Sequence, residues 1–227
     1  MIAGRDIYVF DAYGTVFDVH SAIRRVSSPE MDLERLSGLW RTKQLEYTWI
    51  ETLMGRHSDF WALTERALDY ALAVLKAEPG NLRDQLLDAY RILDVFPEVP
   101  DVLTRLKERG ARTAILSNAT PAMLAQAVKV AGIAPLLDAI LSVEEVGLYK
   151  PTPAVYGLVD LHFGAKPWQV SFQSSNGWDA AGAAAFGFRV VWVNRGGLPR
   201  EYAAAGPVIE VPTLLDLVEG FQSNSPG

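Results

Sequence analysis

Cysteine is absent from the 227-residue sequence, which excludes disulfide bonds, thiolate metal sites and cysteine nucleophiles. The three histidines, His20, His57 and His162, all lie outside the motifs described below, so a Ser-His-Asp arrangement has no support. No apolar run approaches the roughly 18 residues that a membrane span needs. A net charge of −6 opposes binding to nucleic acid or to an anionic membrane, so a pocket for a small anion needs its own Arg or Lys.

The start of the chain runs directly into an apolar segment and leaves no room for a signal peptide, so we expect a cytoplasmic protein. The apolar fraction of 49% and the charged fraction of 21% are ordinary for a globular protein. The length suits one α/β domain, or one domain that carries an insertion.

The segment Ile7–Phe10 is apolar throughout and predicts a strand that is buried on both faces. Asp11 follows this strand, and Gly14 permits the chain to turn shortly afterwards. In an open parallel sheet, ligands bind beyond the carboxyl ends of the strands, which would place Asp11 at the mouth of a site. An Asp in this position is also a common turn or capping residue, and this segment alone favours that ordinary role.

The rest of the chain divides into a helical part and an alternating part. Helical periodicity predicts helices at about 36–54, 59–76 and 82–92, with a turn at 78–81. After Pro97 the pattern predicts strands at 112–116, 139–142, 170–174 and 190–193 and helices at 99–109, 121–131, 153–163, 178–186 and 213–221, with a disordered tail. We therefore predict an α/β fold with a doubly wound, mostly parallel, Rossmann-like sheet at residues 1–16 and 97–227. Residues 17–96 would form a helical module inserted after the first strand.

Three further polar clusters follow predicted strands, at the same sheet edge as Asp11. They are Ser117-Asn118, Lys150 before Pro151, and residues 174–179. Each cluster alone has an ordinary explanation as a helix cap, a solvated loop or a turn. Their convergence on the edge that carries Asp11 is a stronger indication of a site.

Together, the four polar segments resemble the four motifs of the haloacid dehalogenase superfamily, and the helical insertion resembles the cap of that superfamily. The motif segments are Asp11-Ala12-Tyr13-Gly14-Thr15, Leu116-Ser117-Asn118, Lys150-Pro151 and Ser174-Ser175-Asn176-Gly177-Trp178-Asp179. Residues 39–49 and 174–179 are similar to those of the L-2-haloacid dehalogenases in particular, and the resemblance covers nearly the whole chain.

The resemblance implies nucleophilic displacement at carbon. Asp11 would attack C2 of an L-2-haloacid from the face opposite the halogen and form an ester, and Lys150 would favour the ionised carboxylate. Arg41 and Asn118, helped by the edge of Trp178, would stabilise the departing halide. The product would be a D-2-hydroxy acid formed with inversion, and the reaction would need no metal and no cofactor.

The resemblance also assigns the remaining site residues. Asp179 would be the base or water-orienting carboxylate, or would only fix Lys150, and the sequence leaves both roles open. Ser174 and Asn176 would share its network, Thr15 and Ser117 would orient Asp11 and the substrate carboxylate, and Tyr156 would lie near them. An apolar pocket would come from Tyr13, Leu45, Phe60 and Trp178, although such residues are more often core. The family is often dimeric, so we expect a homodimer.

Two other functions are alternatives to this one. A phosphatase of the same fold would carry a second Asp where this chain has Tyr13, and an acid for Mg²⁺ where it has Ser175. A catalytically silent binding protein would not need the intact set of Asp11, Lys150 and Asp179. One departure from the family pattern is Thr42, where Gln is common after the cap Arg, and it bears on pocket size or substrate preference.

Overall fold

The computed structural model describes residues 7–28, 30–77, 80–202 and 205–220. Its strands are β1 (Ile7–Phe10), β2 (Phe17–Asp18), β3 (Asp94–Val95), β4 (Arg112–Ser117), β5 (Ala139–Ser142), β6 (Val170–Ser174), β7 (Arg189–Val193) and β8 (Val208–Val211). Its helices are α1 (Ser21–Arg24), α2 (Leu33–Leu53), α3 (Phe60–Val74), α4 (Leu82–Tyr90), α5 (Val99–Glu108), α6 (Pro121–Val130), α7 (Pro153–Phe163), α8 (Gly177–Phe186) and α9 (Asp216–Glu219).

The main sheet has the strand order β5-β4-β1-β6-β7-β8, and every neighbouring pair in it is parallel. All four residues of β1 are buried, because helices cover both faces of a parallel sheet. The chain proceeds from β1 to β4 and β5 on one side, then crosses to β6 on the other side. The strand order therefore reverses around β1, where a doubly wound sheet opens a crevice for ligands. This confirms the predicted fold class.

In the sequence, the helices α1–α4 lie between β2 and β3, which pair with each other antiparallel. This pair lies where the chain leaves the main sheet and where it returns to it. Phe96 N–H donates to the carbonyl of Val16 over 3.0 Å beside this pair. Within the helical segment, Trp40 on α2 donates its indole N–H to the carbonyl of Thr64 on α3 over 2.9 Å. The boundaries 17–96 for a cap domain stay a prediction.

Several elements differ from the sequence prediction. The strand β8 was missed because its middle residues are exposed at a sheet edge, so it lacks the apolar run of a buried strand. The two-residue strands β2 and β3 and the short helix α1 give no periodic signal. Helix α9 spans Asp216–Glu219, which is shorter than the predicted 213–221. The predicted turn residues 78–79 and the predicted tail lie outside the described residues.

Candidate active site

Asp11 lies at the carboxyl end of the central strand, where its backbone N–H donates to Gln173 O over 2.9 Å. The chain then turns tightly, with Gly14 at φ +97°, a conformation that other residues rarely adopt. This turn returns Thr15 toward the strand end, so that its hydroxyl donates to Asp11 Oδ2 over 3.0 Å. Asn176 Nδ2, after β6, donates to the same oxygen over 2.8 Å. One carboxylate oxygen is thus held from both neighbouring loops.

Lys150 connects two carboxylates at the buried centre of the site. Its Nζ lies 3.0 Å from Asp11 Oδ1 and 2.9 Å from Asp179 Oδ2, and its side chain has no exposed surface. Burial acts to lower the pKa of Lys150, but the charges of Asp11 and Asp179 outweigh it and the pKa is raised. Burial also raises the pKa of Asp179, against the opposing effect of Lys150, and the charge of Asp11 adds to the increase. Lys150 is therefore held as a cation between the two acids.

Asp179 is fixed from a second direction by Tyr156. The Tyr156 hydroxyl donates to Asp179 Oδ1 over 2.8 Å. Burial, followed by the charge of Asp179, raises the pKa of Tyr156, so the phenol stays protonated as a donor. The approach of α8 to α7 depends on Gly182, where a Cβ would lie 2.5 Å from both Tyr156 OH and Pro151 Cβ.

Ser174 joins the same network through the loop after β6. Its Oγ accepts the backbone N–H of Asn176 over 3.1 Å. The next residue, Ser175, donates its backbone N–H to Thr15 Oγ1 over 2.8 Å. Because Thr15 Oγ1 accepts this N–H, its own hydroxyl proton is free to point at the carboxylate of Asp11, to which it donates.

Arg41 reaches the site from α2. Its Nη2 donates to the carbonyl of Tyr13 over 3.1 Å, and the same carbonyl accepts from Asn176 Nδ2 over 3.1 Å. Its Nη1 donates to Gln44 Oε1 over 2.8 Å. Gln44 is itself buried and donates to Thr64 Oγ1 over 2.6 Å. The planar guanidinium is thus oriented from two sides.

Asn118 and Ser117 follow β4 on the other side of Asp11. Asn118 Oδ1 accepts the backbone N–H of Lys150 over 3.1 Å, which directs the amide NH₂ of Asn118 away from that contact. Ser117 Oγ accepts the backbone N–H of Ala119 over 3.1 Å. These two contacts use only the side-chain oxygens, so the amide NH₂ of Asn118 and the hydroxyl proton of Ser117 can donate to a ligand at the sheet edge.

The four residues of the predicted apolar pocket have different surroundings. Tyr13 packs at 5.7 Å against Tyr90 and at 5.9 Å against Phe60, and both Tyr13 and Phe60 are buried. Trp178 is half-buried and meets Trp49 of α2 edge-on at 5.5 Å. Leu45 is half-buried on α2, one turn after Arg41. A cavity of about 620 Å³ opens beside Tyr13, between α3–α4 and the start of α6.

Two residues in contact with this network, Gln44 and Arg195, have no role among the residues predicted for the site, and Ser175 was named only as part of a motif. Arg195 follows β7 and donates from Nη1 to Ser175 Oγ over 2.7 Å. Its position after a strand of the same sheet was the available signal, since the other site segments also follow strand ends. Gln44 gave no signal beyond its spacing of three residues from Arg41.

The donors of the site do not form an obvious metal centre. Within the ranges that the structure describes, no group of three or more His, Cys, Asp or Glu side chains is arranged to hold a metal ion.

Among the residues that the structure describes, no helix combines the length and apolarity needed to cross a membrane.

Comparison with known proteins gives consistent matches over most of the chain. A model of haloacid dehalogenase-like hydrolases matches residues 6–187. The chain is 43% identical over 211 residues to (S)-2-haloacid dehalogenase 4A of Burkholderia cepacia. The aligned residues cover 92% of this chain and 91% of that protein. It is 43% identical over 216 residues to (S)-2-haloacid dehalogenase of Pseudomonas sp. strain YL, spanning 94% and 93% of the two chains.

A solved structure adds to this similarity. The L-2-haloacid dehalogenase of Xanthobacter autotrophicus with covalently bound chloropropionic acid superposes with a TM-score of 0.85 at 36% identity, covering 97% of this chain and all of the other. The identity, the coverage and the shared fold together show that this chain belongs to the (S)-2-haloacid dehalogenases, within the haloacid dehalogenase-like hydrolases.

Proposed function

We propose that this protein hydrolyses L-2-haloacids, such as haloacetates and 2-halopropionates, to 2-hydroxy acids through an ester on Asp11. The observation that carries the proposal is the environment of Asp11, whose carboxylate is held by Thr15, Asn176 and Lys150 at the crevice of a doubly wound sheet. The ammonium group of Lys150 lies 3.0 Å from Asp11 Oδ1, and an Asp carboxylate is an accepted nucleophile in covalent catalysis.

The first step is displacement of the halide. An Asp11 oxygen forms a bond to C2 while the carbon–halogen bond breaks and its electron pair leaves with the halide. Arg41, oriented by Gln44 and the Tyr13 carbonyl, would stabilise the developing negative charge together with the amide of Asn118 and the edge of Trp178. A single donor of this kind contributes about 10²- to 10³-fold to the rate.

The second step is hydrolysis of the ester. Water attacks the Asp11 carbonyl carbon, so the C2–oxygen bond formed in the first step is retained and the overall reaction inverts C2. An L-acid therefore gives a D-hydroxy acid. Both oxygens of Asp179 accept strong hydrogen bonds, from Lys150 and Tyr156, which supports a role in positioning Lys150. Ser117 and Thr15 are proposed to orient the substrate carboxylate and Asp11.

We propose that the reaction needs no metal. Asp11 and Asp179, the two acids that a divalent cation would need, are already bridged by the ammonium group of Lys150. The alkyl group of the substrate is proposed to pack against Tyr13, Leu45, Phe60 and Trp178.

The test is halide release from L- and D-2-chloropropionate, with and without EDTA, for the wild type and Asp11→Asn. The exposed residue Asp88 provides a matched control as Asp88→Asn. We expect release from the L-isomer alone, unaffected by EDTA, retained by Asp88→Asn and lost by Asp11→Asn. No halide from either isomer or from haloacetates would refute the proposal, and Mg²⁺-dependent phosphate-ester hydrolysis would support a phosphatase instead.

A single turnover in H₂¹⁸O, with enzyme in excess, tests the ester itself. In the ester route the first product molecule carries an ¹⁶O from Asp11, and ¹⁸O enters the Asp11 carboxylate. Mass spectrometry of the peptide that contains Asp11 would detect this label. An ¹⁸O label in the first product instead would mean that water attacks C2 directly and would refute the covalent step.

We also propose that the protein is a homodimer and acts in the cytoplasm. Large apolar side chains are exposed on α3 and on α2 with the residue that follows it, namely Ile50, Leu53, Met54, Tyr70 and Val74. Covering such a face would remove apolar surface from water. Light scattering after size exclusion, for the wild type and Leu53→Arg, tests the dimer, and cell fractionation tests the location. A monomeric wild type would refute the dimer.

A further inference from the structure

Arg195 lies two residues after the end of β7 and binds residues of several neighbouring segments. Its Nη1 donates to Ser175 Oγ over 2.7 Å and to the carbonyl of Gly14 over 3.4 Å. Its Nη2 donates to the carbonyl of Thr15 over 3.1 Å. Three acceptors from the loops after β1 and β6 are therefore bound by one guanidinium, which matches the fork geometry that distinguishes Arg from Lys.

The same guanidinium also binds the segment that returns from the helices to the sheet. Nη2 and Nε lie 2.6 and 3.1 Å from Glu98 Oε1, and the group stacks at 3.9 Å over the ring of Phe96. The side chains of Arg195 and Glu98 are 22% and 11% exposed. An ion pair shielded to this degree is more rigid than an exposed pair, because water competes less for its hydrogen bonds.

Arg195 contacts Thr15, which donates to Asp11, and Ser175, which is the residue before the second donor. Thr15, whose carbonyl Arg195 holds, donates its hydroxyl to Asp11 Oδ2. Ser175, whose hydroxyl Arg195 holds, precedes Asn176, which donates to the same oxygen. The loops after β1 and β6, which orient the Asp11 carboxylate, are thus connected by the hydrogen bonds of Arg195 as well as by those to Asp11.

We propose that Arg195 is a positioning residue for the dehalogenation reaction: with Glu98 as its anchor, it fixes the two loops that direct Thr15 and Asn176 at Asp11. This inference rests on the proposed function. Arg195 does not touch the reacting atoms, so its effect is exerted on the geometry of Asp11 during attack. Displacing a reacting group by about 1 Å costs on the order of 100-fold in rate.

The experiment compares Arg195→Ala with Arg200→Ala, a matched control in which an exposed Arg loses its pairing with Glu210. Halide release from L-2-chloropropionate gives kcat and KM for each. We expect Arg195→Ala to lower kcat by about 10- to 100-fold with KM changed by less than about threefold. We expect millimolar guanidinium to restore part of the lost rate in this variant only. Arg200→Ala should behave as the wild type.

Two further variants separate positioning from general stability. Arg195→Lys keeps the positive charge but lacks the planar set of N–H donors of a guanidinium. We therefore expect a kcat between those of the wild type and Arg195→Ala, with an unchanged KM. Glu98→Gln should also lower kcat, and the double variant Glu98→Gln/Arg195→Ala should be no slower than Arg195→Ala, because the two residues act as a unit.

A wild-type kcat in folded Arg195→Ala would overturn the proposal. If Arg195→Ala does not fold, the Lys variant decides: a wild-type kcat overturns the proposal, and a reduced kcat with unchanged KM supports it. Additive losses in the double variant would also overturn it. A wild type that releases no halide would overturn the proposed function and this inference together, whereas an active wild type with an unaltered Arg195 variant would overturn this inference alone.

Discussion

Replacement of Lys150 by Met should destabilise the protein strongly, and by an amount that depends on pH. The ammonium group lies 3.0 and 2.9 Å from two buried carboxylates, and the side chains of Lys150 and Asp179 have no exposed surface. Removing one partner of a buried ion pair costs about 3–5 kcal/mol, because the remaining charge is left uncompensated. Here the variant leaves two negative charges, so we expect a loss of at least about 3 kcal/mol near pH 8.

The pH dependence follows from the carboxyl groups that remain. Burial already raises the pKa of Asp179, and loss of Lys150 removes the charge that opposes this increase. A group whose pKa is higher in the folded state than in the unfolded state binds its proton more tightly when folded. Stability is therefore regained as the pH falls through the folded-state pKa, toward the unfolded value of about 3.9. One proton changes the free energy of unfolding by at most about 1.4 kcal/mol per pH unit.

Urea unfolding followed by far-UV circular dichroism, near pH 8 and near pH 5.5, measures the effect. Lys129→Met is the matched control, because Lys129 is exposed on α6, and it should change stability by less than about 0.5 kcal/mol. The Lys150→Met loss should be smaller at the lower pH. A loss below about 1 kcal/mol, or an equal loss at both pH values, would refute the reasoning.

Three other substitutions test neighbouring contacts. Tyr156→Phe leaves Asp179 Oδ1 without its phenolic donor, so the free energy of unfolding should fall by about 1–3 kcal/mol in urea titrations. Gly182→Ala places a methyl group 2.5 Å from the Tyr156 hydroxyl and should cost about 1–3 kcal/mol, measured in the same way. Gln44→Met retains volume but releases Arg41, so kcat for L-2-chloropropionate should fall by up to about 100-fold while the fold persists.

Two of these predictions have their own controls. The cost of Gly182→Ala should be smaller in a Tyr156→Phe background, where the hydroxyl is absent, and an unchanged cost would contradict the clash with that hydroxyl. Gln85→Met, on the exposed side of α4, should leave kcat as in the wild type. An undiminished kcat in Gln44→Met would mean that the Tyr13 carbonyl alone orients Arg41.

The local segments of the site were predictable from the sequence because each is encoded by adjacent residues. An apolar strand followed by Asp11 and a turn at Gly14 has a readable local signal, and the parallel alternation of strands and helices implies that strand ends meet at one edge. The strand β8 was not predictable in this way, since its exposed edge position removes the apolar run on which the prediction depends.

The sequence by itself determined the fold class, the edge at which the polar segments meet and the residue types available there. Only the tertiary structure decided which side chains touch: that Lys150 lies between Asp11 and Asp179, that Gln44 orients Arg41, and that Arg195 joins two loops to Glu98. The physical reason is that these contacts link residues on different elements. Their distances depend on strand order and helix packing, whereas residue spacing along the chain encodes only the faces and ends of single elements.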